Sequence, residues 1–287
     1  MIKLSVIIPC FNAAKTIAIQ LEALAKQECS EPWEIIIADN NSTDNTVEIV
    51  KEYQQHLPMI NLVSANSMQG AGYARNVAAK AAKGEALAFC DADDEVDKGW
   101  VSAMIRSLSE HDFVVGSNEY SQLNEAWAIE SCKYREINGV KDFPYYPYAA
   151  TNNLGIKRSI HNAVGGFDNQ MLLLEDVDYC WRVQQTGVKL ENAPDALVHI
   201  RLRDNIADMY RRYRKLACYD IVLHRKHQQL GMPKLIKWQD FIKDMLMLCA
   251  KFLVKVRSKE NFARWLIDFA WFHGHLQGCI KYKYLPV

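Results

Sequence analysis

Three aspartates, Asp91, Asp93 and Asp94, fall within the segment FCDADDE at 89–95, directly after a short apolar run. Carboxylates packed this closely repel one another, and a cation relieves the repulsion. Asp91 and Asp93 can reach one divalent ion through hard oxygen ligands, and Mg2+ or Mn2+ there would bridge them to the phosphates of a nucleotide. An exposed acidic turn capping the next helix is the competing reading. Asp39, in EIIIADNNSTDNT, ends another apolar run. Its carboxylate can accept hydrogen bonds from a base N–H or a ribose hydroxyl, or it can close an Asx turn or cap a helix.

Three further segments carry titratable groups. In QGAGYARN (69–76) Gly70 and Gly72 let the backbone pass close to a ligand, and Arg75 follows where it can meet a phosphate or simply stay solvated. The spacing is not GxGxxG, so a dinucleotide fingerprint does not apply. In LLLEDVDYCWR (172–182) Glu175 and Asp176 open a helix. A helix N-terminus stabilises carboxylates, which suits plain capping as well as a general base that deprotonates an acceptor hydroxyl. His199, in ALVHIRLRDN, stands near a strand end, as a core histidine or as the group that completes a metal shell.

The elements that position these groups alternate. Leu4–Pro9, Glu34–Asp39, Ile60–Ser64 and Ala86–Asp91 read as strands. Between them lie helical stretches at about 13–27, from a Ser42 or Thr43 cap to about His56, and at 70–83, with another from Val96 to about Ser109. Strands spaced by such helices make right-handed βαβ units and a parallel sheet. Ligands bind such sheets beyond the carboxyl ends of the strands, where Asp39 and Asp91 both fall. Phe113–Gly116 and Asn152–Ile156 read as strands, GGFD (165–168) as a turn, 175–185 as a helix stopped by Gly187, and 196–201 as a last strand. The stretch 117–150 is less regular and holds the aromatic loop FPYYPY. From Asn205 on, patterns are helical at about 205–230, 235–256 and 260–280.

In order and spacing, SVIIPCFN, EIIIADNNSTDNT, GAGYARN, FCDADD, GGFD, LLEDVDYCWR and VHIRLR resemble the family 2 glycosyltransferases with the GT-A fold, over about residues 4–203. The resemblance implies an α/β, Rossmann-like, mostly parallel sheet flanked by helices, and the helical patterns from Asn205 on add a helical C-terminal extension. It implies a catalytic domain at 1–203, with 1–116 binding the nucleotide-sugar and 117–203 on the acceptor side, and an extension at 204–287. It places Pro9, Phe11 and Asn12 by the nucleoside, Asp39 on the base, Arg75 near the donor phosphates, and Asp91 and Asp93 on ribose and metal as the DxD motif. It makes Asp176 the catalytic base, leaves Glu175 to orient the acceptor, and puts His199 in the metal shell. Single displacement with inversion needs one base, in keeping with the lack of a second, glycosidase-type carboxylate pair. Trp181 and the tyrosines of 145–148 are candidates to stack on sugars, with core packing the expected fate of Trp181. Two departures stand out: GGFDNQMLLLED lacks the glycine often found just before ED, so that loop is expected to differ in shape, and 120–148 follows no family pattern.

Composition bounds the setting. At 287 residues and 49% hydrophobic, the chain can build a sizeable core. No run approaches the roughly 20 apolar residues of a membrane span, and the N-terminus reads as a strand rather than a signal peptide. The eight cysteines (10, 29, 90, 132, 180, 218, 249 and 279) form no CxxC pair, which suits a reducing cytoplasm. Zero net charge conceals an imbalance. Residues 1–199 carry 16 Lys and Arg against 27 Asp and Glu, and 200–287 carry 18 against 7. The basic tail suits an anionic partner such as a phospholipid surface or a phosphate-bearing acceptor, or else the two halves attract each other. In the tail, Lys237, Lys243, Lys251, Lys255 and Arg257 flank an apolar stripe that suits a membrane interface, the catalytic domain or a second subunit of a homodimer.

The expected activity is sugar transfer from a nucleotide-sugar to a saccharide or lipid-linked acceptor, with Mn2+ or Mg2+, in glycan, cell-surface polysaccharide or glycolipid synthesis. Peripheral contact at the inner face of the plasma membrane stays open for a cytoplasmic protein beside packing of the tail on the protein, and nucleic acid is not among the partners. A sugar-nucleotide-binding module without turnover, and transfer to a polyprenyl phosphate, are the alternatives. A nucleotidyltransferase would want a Gly-rich basic loop after the first strand, where this chain has CFNAAK.

Overall fold

The structure, a computed structural model, describes residues 1–131, 139–234 and 238–286. Cys132 and Lys237 lie outside the described residues, as does part of the irregular stretch at 117–150. The chain divides into two compact units, Met1–Glu119 with Glu136–Arg201, and Tyr120–Arg135 with Leu202–Val287.

The first unit runs β1 (Leu4–Cys10), α1 (Ile17–Ala25), β2 (Trp33–Asp39), α2 (Thr46–His56), β3 (Ile60–Ser64), α3 (Ala71–Ala81), β4 (Ala86–Cys90), β5 (Glu95–Val96), α4 (Trp100–Glu110) and β6 (Phe113–Glu119). It continues through β7 (Val140–Lys141), β8 (Tyr148–Ala149), β9 (Asn153–Lys157), α6 (Arg158–Ala163), α7 (Glu175–Gln185) and β10 (Glu191–His199). Eight strands form one sheet in the order β3-β2-β1-β4-β9-β6-β10-β5. β3, β2, β1 and β4 are parallel neighbours, as are β6 and β10, while β9 and β5 run antiparallel. The near-continuous burial of the central strands is what a sheet covered on both faces requires. On one face Ile7, Ile36, Leu87, Phe89, Phe113 and Leu154 pack with Ala74 and Ala78 of α3 and Tyr179 and Val183 of α7. Residues of the other parity, such as Val6, Ile8, Ile35 and Ile37, are equally buried.

Three local readings are corrected. Ser42 and Thr43 do not cap α2, which starts at Thr46; they serve the β1–α1 loop instead, as described below. α4 starts at Trp100 rather than Val96, because Glu95 and Val96 are drawn into the sheet against His199 and Val198. β10 begins at Glu191 rather than Ala196, and its register against β6 shifts between Ala193 and Leu197, around Pro194, which has no N–H for the ladder.

The second unit holds α5 (Ala126–Ser131), α8 (Ile206–His227), a short 3-10 turn, α9 (Trp238–Lys255) and α10 (Lys259–Tyr282). Trp127, Ala128, Met209, Ala263 and Ile267 form its core cluster. Gly274 and Gly278 of α10 lie so close to the Arg214 and Cys218 carbonyls of α8 that a side chain would collide with that backbone. Among the described residues no helix is long and apolar enough to cross a membrane.

Candidate active site

The carboxyl ends of β1, β2 and β4 form one rim. Cys10 pairs in register with Asp39 across β1 and β2, and Asp91 follows the last residue of β4. The buried Cys10 thiol is pushed far above its ordinary pKa by burial and then by Asp39, Asp91, Asp93 and Asp44. Four carboxylates from two distant segments thus surround the end of β1.

Two loops are laced together beside that rim. Asn12, in the left-handed region at φ 51°, donates its N–H to the Ser42 hydroxyl at 2.9 Å, and its Oδ1 accepts the Thr43 N–H at 2.8 Å. Ala13 and Ala14 donate to Thr46 and Asp44. Asp39 accepts the Ser42 N–H at 3.3 Å, so it closes an Asx-type turn while keeping its place at the strand end. Phe11, between Pro9 and Asn12 on this loop, is 53% exposed, unusual for a phenylalanine. Asn40 is buried and ties β2 to the segment before α3: its amide donates to the Ala65 and Met68 carbonyls, and its Oδ1 accepts the Gly70 N–H.

In the acidic loop after β4, oxygens of Asp91, Asp93 and Asp94 lie within 4.8 Å of one another. The three differ in surroundings. Asp94 is buried, and its oxygens accept the Arg201 N–H at 2.8 Å and the Asn152 amide at 3.1 Å. Burial, then Asp91 and Asp93, push its carboxyl well above the usual range. Asp93 is exposed and Asp91 half-buried. A set of hard carboxylate oxygens gathered this tightly fits a divalent cation such as Mg2+ or Mn2+, with Asp91 and Asp93 as the pair that faces outward. Arg201 lies alongside, its Nε donating to the Asp93 carbonyl at 3.0 Å.

Arg75 is only 3% exposed and joins two of the segments singled out in the sequence. Its terminal nitrogens meet Asp91 at 2.7 Å and Glu175 at 2.9 Å, and its guanidinium lies 5.6 Å from the centre of the Phe167 ring. Gly72 makes the approach possible, since a Cβ there would press on Phe167 and Glu175. Asn76, on the same helix, clamps the GGFD turn by donating to the Phe167 carbonyl and accepting the Phe167 N–H, both at 2.8 Å.

Glu175 and Asp176 form the first turn of α7. Glu175 is largely buried, and burial followed by Asp176 pushes its carboxyl up to about 7 against the pull of Arg75. Asp176 is half-buried and accepts the Val177 N–H at 2.8 Å. Leu174 precedes them in the left-handed region at φ 59°, a backbone that glycine takes most readily. Where the family's glycine is missing, the chain accepts the strain with a leucine.

His199 is not brought into the acidic group. Its Nδ1 faces Glu119 at 2.9 Å and its Nε2 faces Asp97 at 3.4 Å, making a carboxylate–imidazole–carboxylate chain at the rim. Trp181 is 1% exposed; its indole N–H donates to the Tyr146 carbonyl, and its ring packs on Phe143 and Tyr145, so it is core.

Several structural supports are not among the residues singled out from the sequence. Asp178, fully buried, holds Arg182 at 2.8 Å, and Arg182 in turn donates to the Val164 and Gly166 carbonyls and secures the GGFD turn. The i, i+4 spacing of the pair within DVDYCWR was the available clue. Asn40, Asn76, Gln20 and Gln27 act on backbone groups distant in sequence, which no local pattern reveals.

The mostly parallel sheet flanked by helices is a GT-A-like fold. The Glycosyl transferase family 2 model matches residues 5–167, more than half of the chain, and the chain belongs to that family. It is 27% identical over 197 residues to glycosyltransferase AglE of Haloferax volcanii, covering 67% of this chain and 65% of that protein. It is 38% identical over 113 residues to the poly(ribitol-phosphate) beta-N-acetylglucosaminyltransferase TarS of Staphylococcus aureus, covering 39% of this chain and 20% of that protein. The chain thus spans less than two thirds of either relative. In fold it is similar to mannosyltransferase PcManGT of Pyrobaculum calidifontis, solved with GDP-Man and Mn2+, at TM-score 0.60 and 19% identity over 97% of this chain and 73% of that one. It is also similar to S. aureus TarS 1–349 solved with UDP-GlcNAc, at TM-score 0.54 and 20% identity over 98% of this chain and 92% of that one.

Proposed function

We propose that this chain is an inverting, metal-dependent glycosyltransferase that moves a sugar from a nucleoside-diphosphate sugar to an acceptor hydroxyl in glycan, cell-surface polysaccharide or glycolipid synthesis. The observation that carries it is the buried Arg75, which joins the DxD carboxylate Asp91 to the ED carboxylate Glu175 at 2.7 and 2.9 Å. Donor-side and acceptor-side groups are thereby held at one edge of the sheet. The donor complexes of PcManGT and TarS support a nucleotide-sugar ligand of this kind.

Pro9, Phe11 and Asn12 flank the nucleoside, with Asp39 on the base and Asp91 on the ribose. Asp91 and Asp93 would hold Mn2+ or Mg2+, which would supply positive charge against the diphosphate as it leaves. Arg75, held by Asp91 and Glu175, offsets part of their negative charge near the phosphates. Asp176 suits the base better than Glu175: it is half-buried, whereas Glu175 is committed to Arg75. Asp176 removes the acceptor proton as that oxygen attacks the anomeric carbon from the face opposite the diphosphate. The metal set rests on Asp91 and Asp93; His199 would join it only by leaving Glu119 or Asp97.

Thermal-shift screening of UDP-, GDP- and dTDP-sugars with Mn2+ identifies the donor class through stabilisation by one of them. Slow hydrolysis of that nucleotide-sugar, lost in Asp93→Ala, is the expected result. Binding without turnover in the wild type would make the chain a binding module.

The proposal extends to peripheral membrane contact. α9 exposes Leu246, Leu253 and Val254 and carries Lys243 and Lys255, with Arg257 just past its end, which suits an anionic lipid surface. Flotation with phosphatidylglycerol vesicles tests it, and a chain that stays with the soluble fraction at low salt ends the idea.

A further inference from the structure

Gln20 occupies a position where α1 calls for an apolar residue. Ile17, Leu21 and Leu24 form the buried stripe of that helix, and Gln20 lies among them with no exposed surface. Burying an amide is unfavourable unless its hydrogen bonds are met, and a leucine or methionine would fill the same volume. Both ends of the Gln20 amide are in use, and both face the acidic loop. Nε2 donates to the Asp91 carbonyl at 3.1 Å, and Oε1 accepts the Val96 N–H at 2.9 Å. Because one partner is a C=O and the other an N–H, the two ends of the amide cannot be exchanged.

Gln27, just past the end of α1, repeats the pattern further along the same loop. Its Nε2 donates to the Asp97 carbonyl at 2.9 Å, and its Oε1 accepts the Val101 N–H at 3.0 Å. The backbone from 91 to 101 is therefore held at four points by two side chains from about 70 positions earlier. Asp93 and Asp94 lie between the two atoms that Gln20 grips. Asp97, whose carbonyl Gln27 holds, presents its carboxylate to His199.

We propose that Gln20, assisted by Gln27, is a positioning residue that sets the separation of the Asp91 and Asp93 carboxylates and so tunes the affinity of the site for its cation. The proposal rests on the metal reading above and goes beyond it, because it assigns the geometry of the acidic loop to α1. Groups behind the metal ligands typically alter affinity by roughly 10- to 100-fold when removed.

The test compares wild type with Gln20→Met, and with Val50→Ala as a core variant of α2 outside the site. Binding of Mn2+ alone is followed by the EPR signal of free Mn2+, and amide exchange is followed by mass spectrometry. In Gln20→Met, exchange across 91–97 rises by at least roughly 10-fold and Mn2+ binding weakens by a similar factor. In Val50→Ala neither changes by more than twofold. Unchanged exchange across 91–97 in folded Gln20→Met overturns the brace. So does faster exchange with unaltered Mn2+ affinity, provided wild type binds Mn2+ and Asp93→Ala does not. Should wild type itself bind no Mn2+, the metal reading fails and with it the claim that Gln20 tunes it, while the exchange result still decides whether the brace exists. If Gln20→Met does not fold, the partly buried Gln27→Met gives the same readings across 97–101.

Discussion

Arg75 and Glu175 stand 100 positions apart in the chain and meet in a buried ion pair at 2.9 Å, with Asp91 on the other arm of the same guanidinium. One cation thereby offsets two carboxylates at the point where α3 meets the N-terminus of α7. Removing one partner of a buried pair costs about 3–5 kcal/mol, because the other charge remains without compensation. Arg75→Met leaves the largely buried Glu175 and the half-buried Asp91 without their partner and is expected to lose about 3 kcal/mol of unfolding free energy, read from urea midpoints. Adding Glu175→Gln to Arg75→Met should recover part of that loss. A double variant no more stable than the single one would mean that the pair is not coupled as described.

Glu175 sets a pH dependence. Burial and then Asp176 raise its carboxyl from an ordinary 4.5 to about 7. A carboxyl that binds its proton more tightly when folded adds stability below its unfolded pKa and loses it as pH climbs through the folded value. The stability of wild type relative to Glu175→Gln should therefore fall between about pH 4.5 and 7 and level off above. Urea unfolding at pH 5, 6, 7 and 8 measures this. A difference that grows with pH would mean that attraction to Arg75 outweighs burial.

Leu174 offers a backbone test. A residue with a Cβ in the left-handed region is strained by roughly 1–2 kcal/mol, and glycine escapes that strain at some cost in chain entropy. Leu174→Ala and Leu174→Gly both lose the half-buried side chain, so comparing them isolates the backbone. The glycine variant should be the more stable by about 1 kcal/mol. If alanine is the more stable, Leu174 is not left-handed in solution.

The sequence revealed the parts of this molecule whose signals are local. The runs ending at Asp39 and Asp91 announced strands that end at the rim, the second one residue later than β4 does, and Glu175–Gln185 was bounded by its own acidic start and Gly187. The antiparallel insertion of β9 between β4 and β6 was not legible, because Asn153–Lys157 reads alike in either direction and its neighbours are chosen by tertiary packing. Nor were the roles of polar residues that serve distant backbone. Asn12 also holds Thr43, Ser42 looked like a helix cap and serves Asn12, and no local pattern marks Gln20 as the partner of the Asp91 carbonyl. His199 suggested a metal ligand by its place at a strand end, yet Glu119 and Asp97 face both its nitrogens. Two of those partners lie about 80 and 102 positions away, beyond any local pattern.

The three aspartates of the acidic loop are not equivalent, and substitution should separate them. Asp94 is buried with its oxygens on the Arg201 N–H and the Asn152 amide, and its carboxyl is pushed strongly towards the protonated form. Asparagine resembles that neutral form. Asp94→Asn would turn an N–H towards Asn152, and a flip of the Asn152 amide brings its Oδ1, now buried without a partner, round to accept it. The variant also keeps that position neutral beside Asp91 and Asp93. It is expected to fold, to be at least as stable as wild type, and to keep Mn2+-dependent turnover of the nucleotide-sugar within roughly threefold. Asp93→Asn, at the exposed member of the cluster, should lose at least roughly 100-fold, equivalent to about 2.7 kcal/mol of transition-state stabilisation. Parallel rate measurements across a Mn2+ titration decide the matter. Equal losses in the two variants would show that Asp94 shares the cation, and a larger loss in Asp94→Asn would move the metal site inward from Asp93.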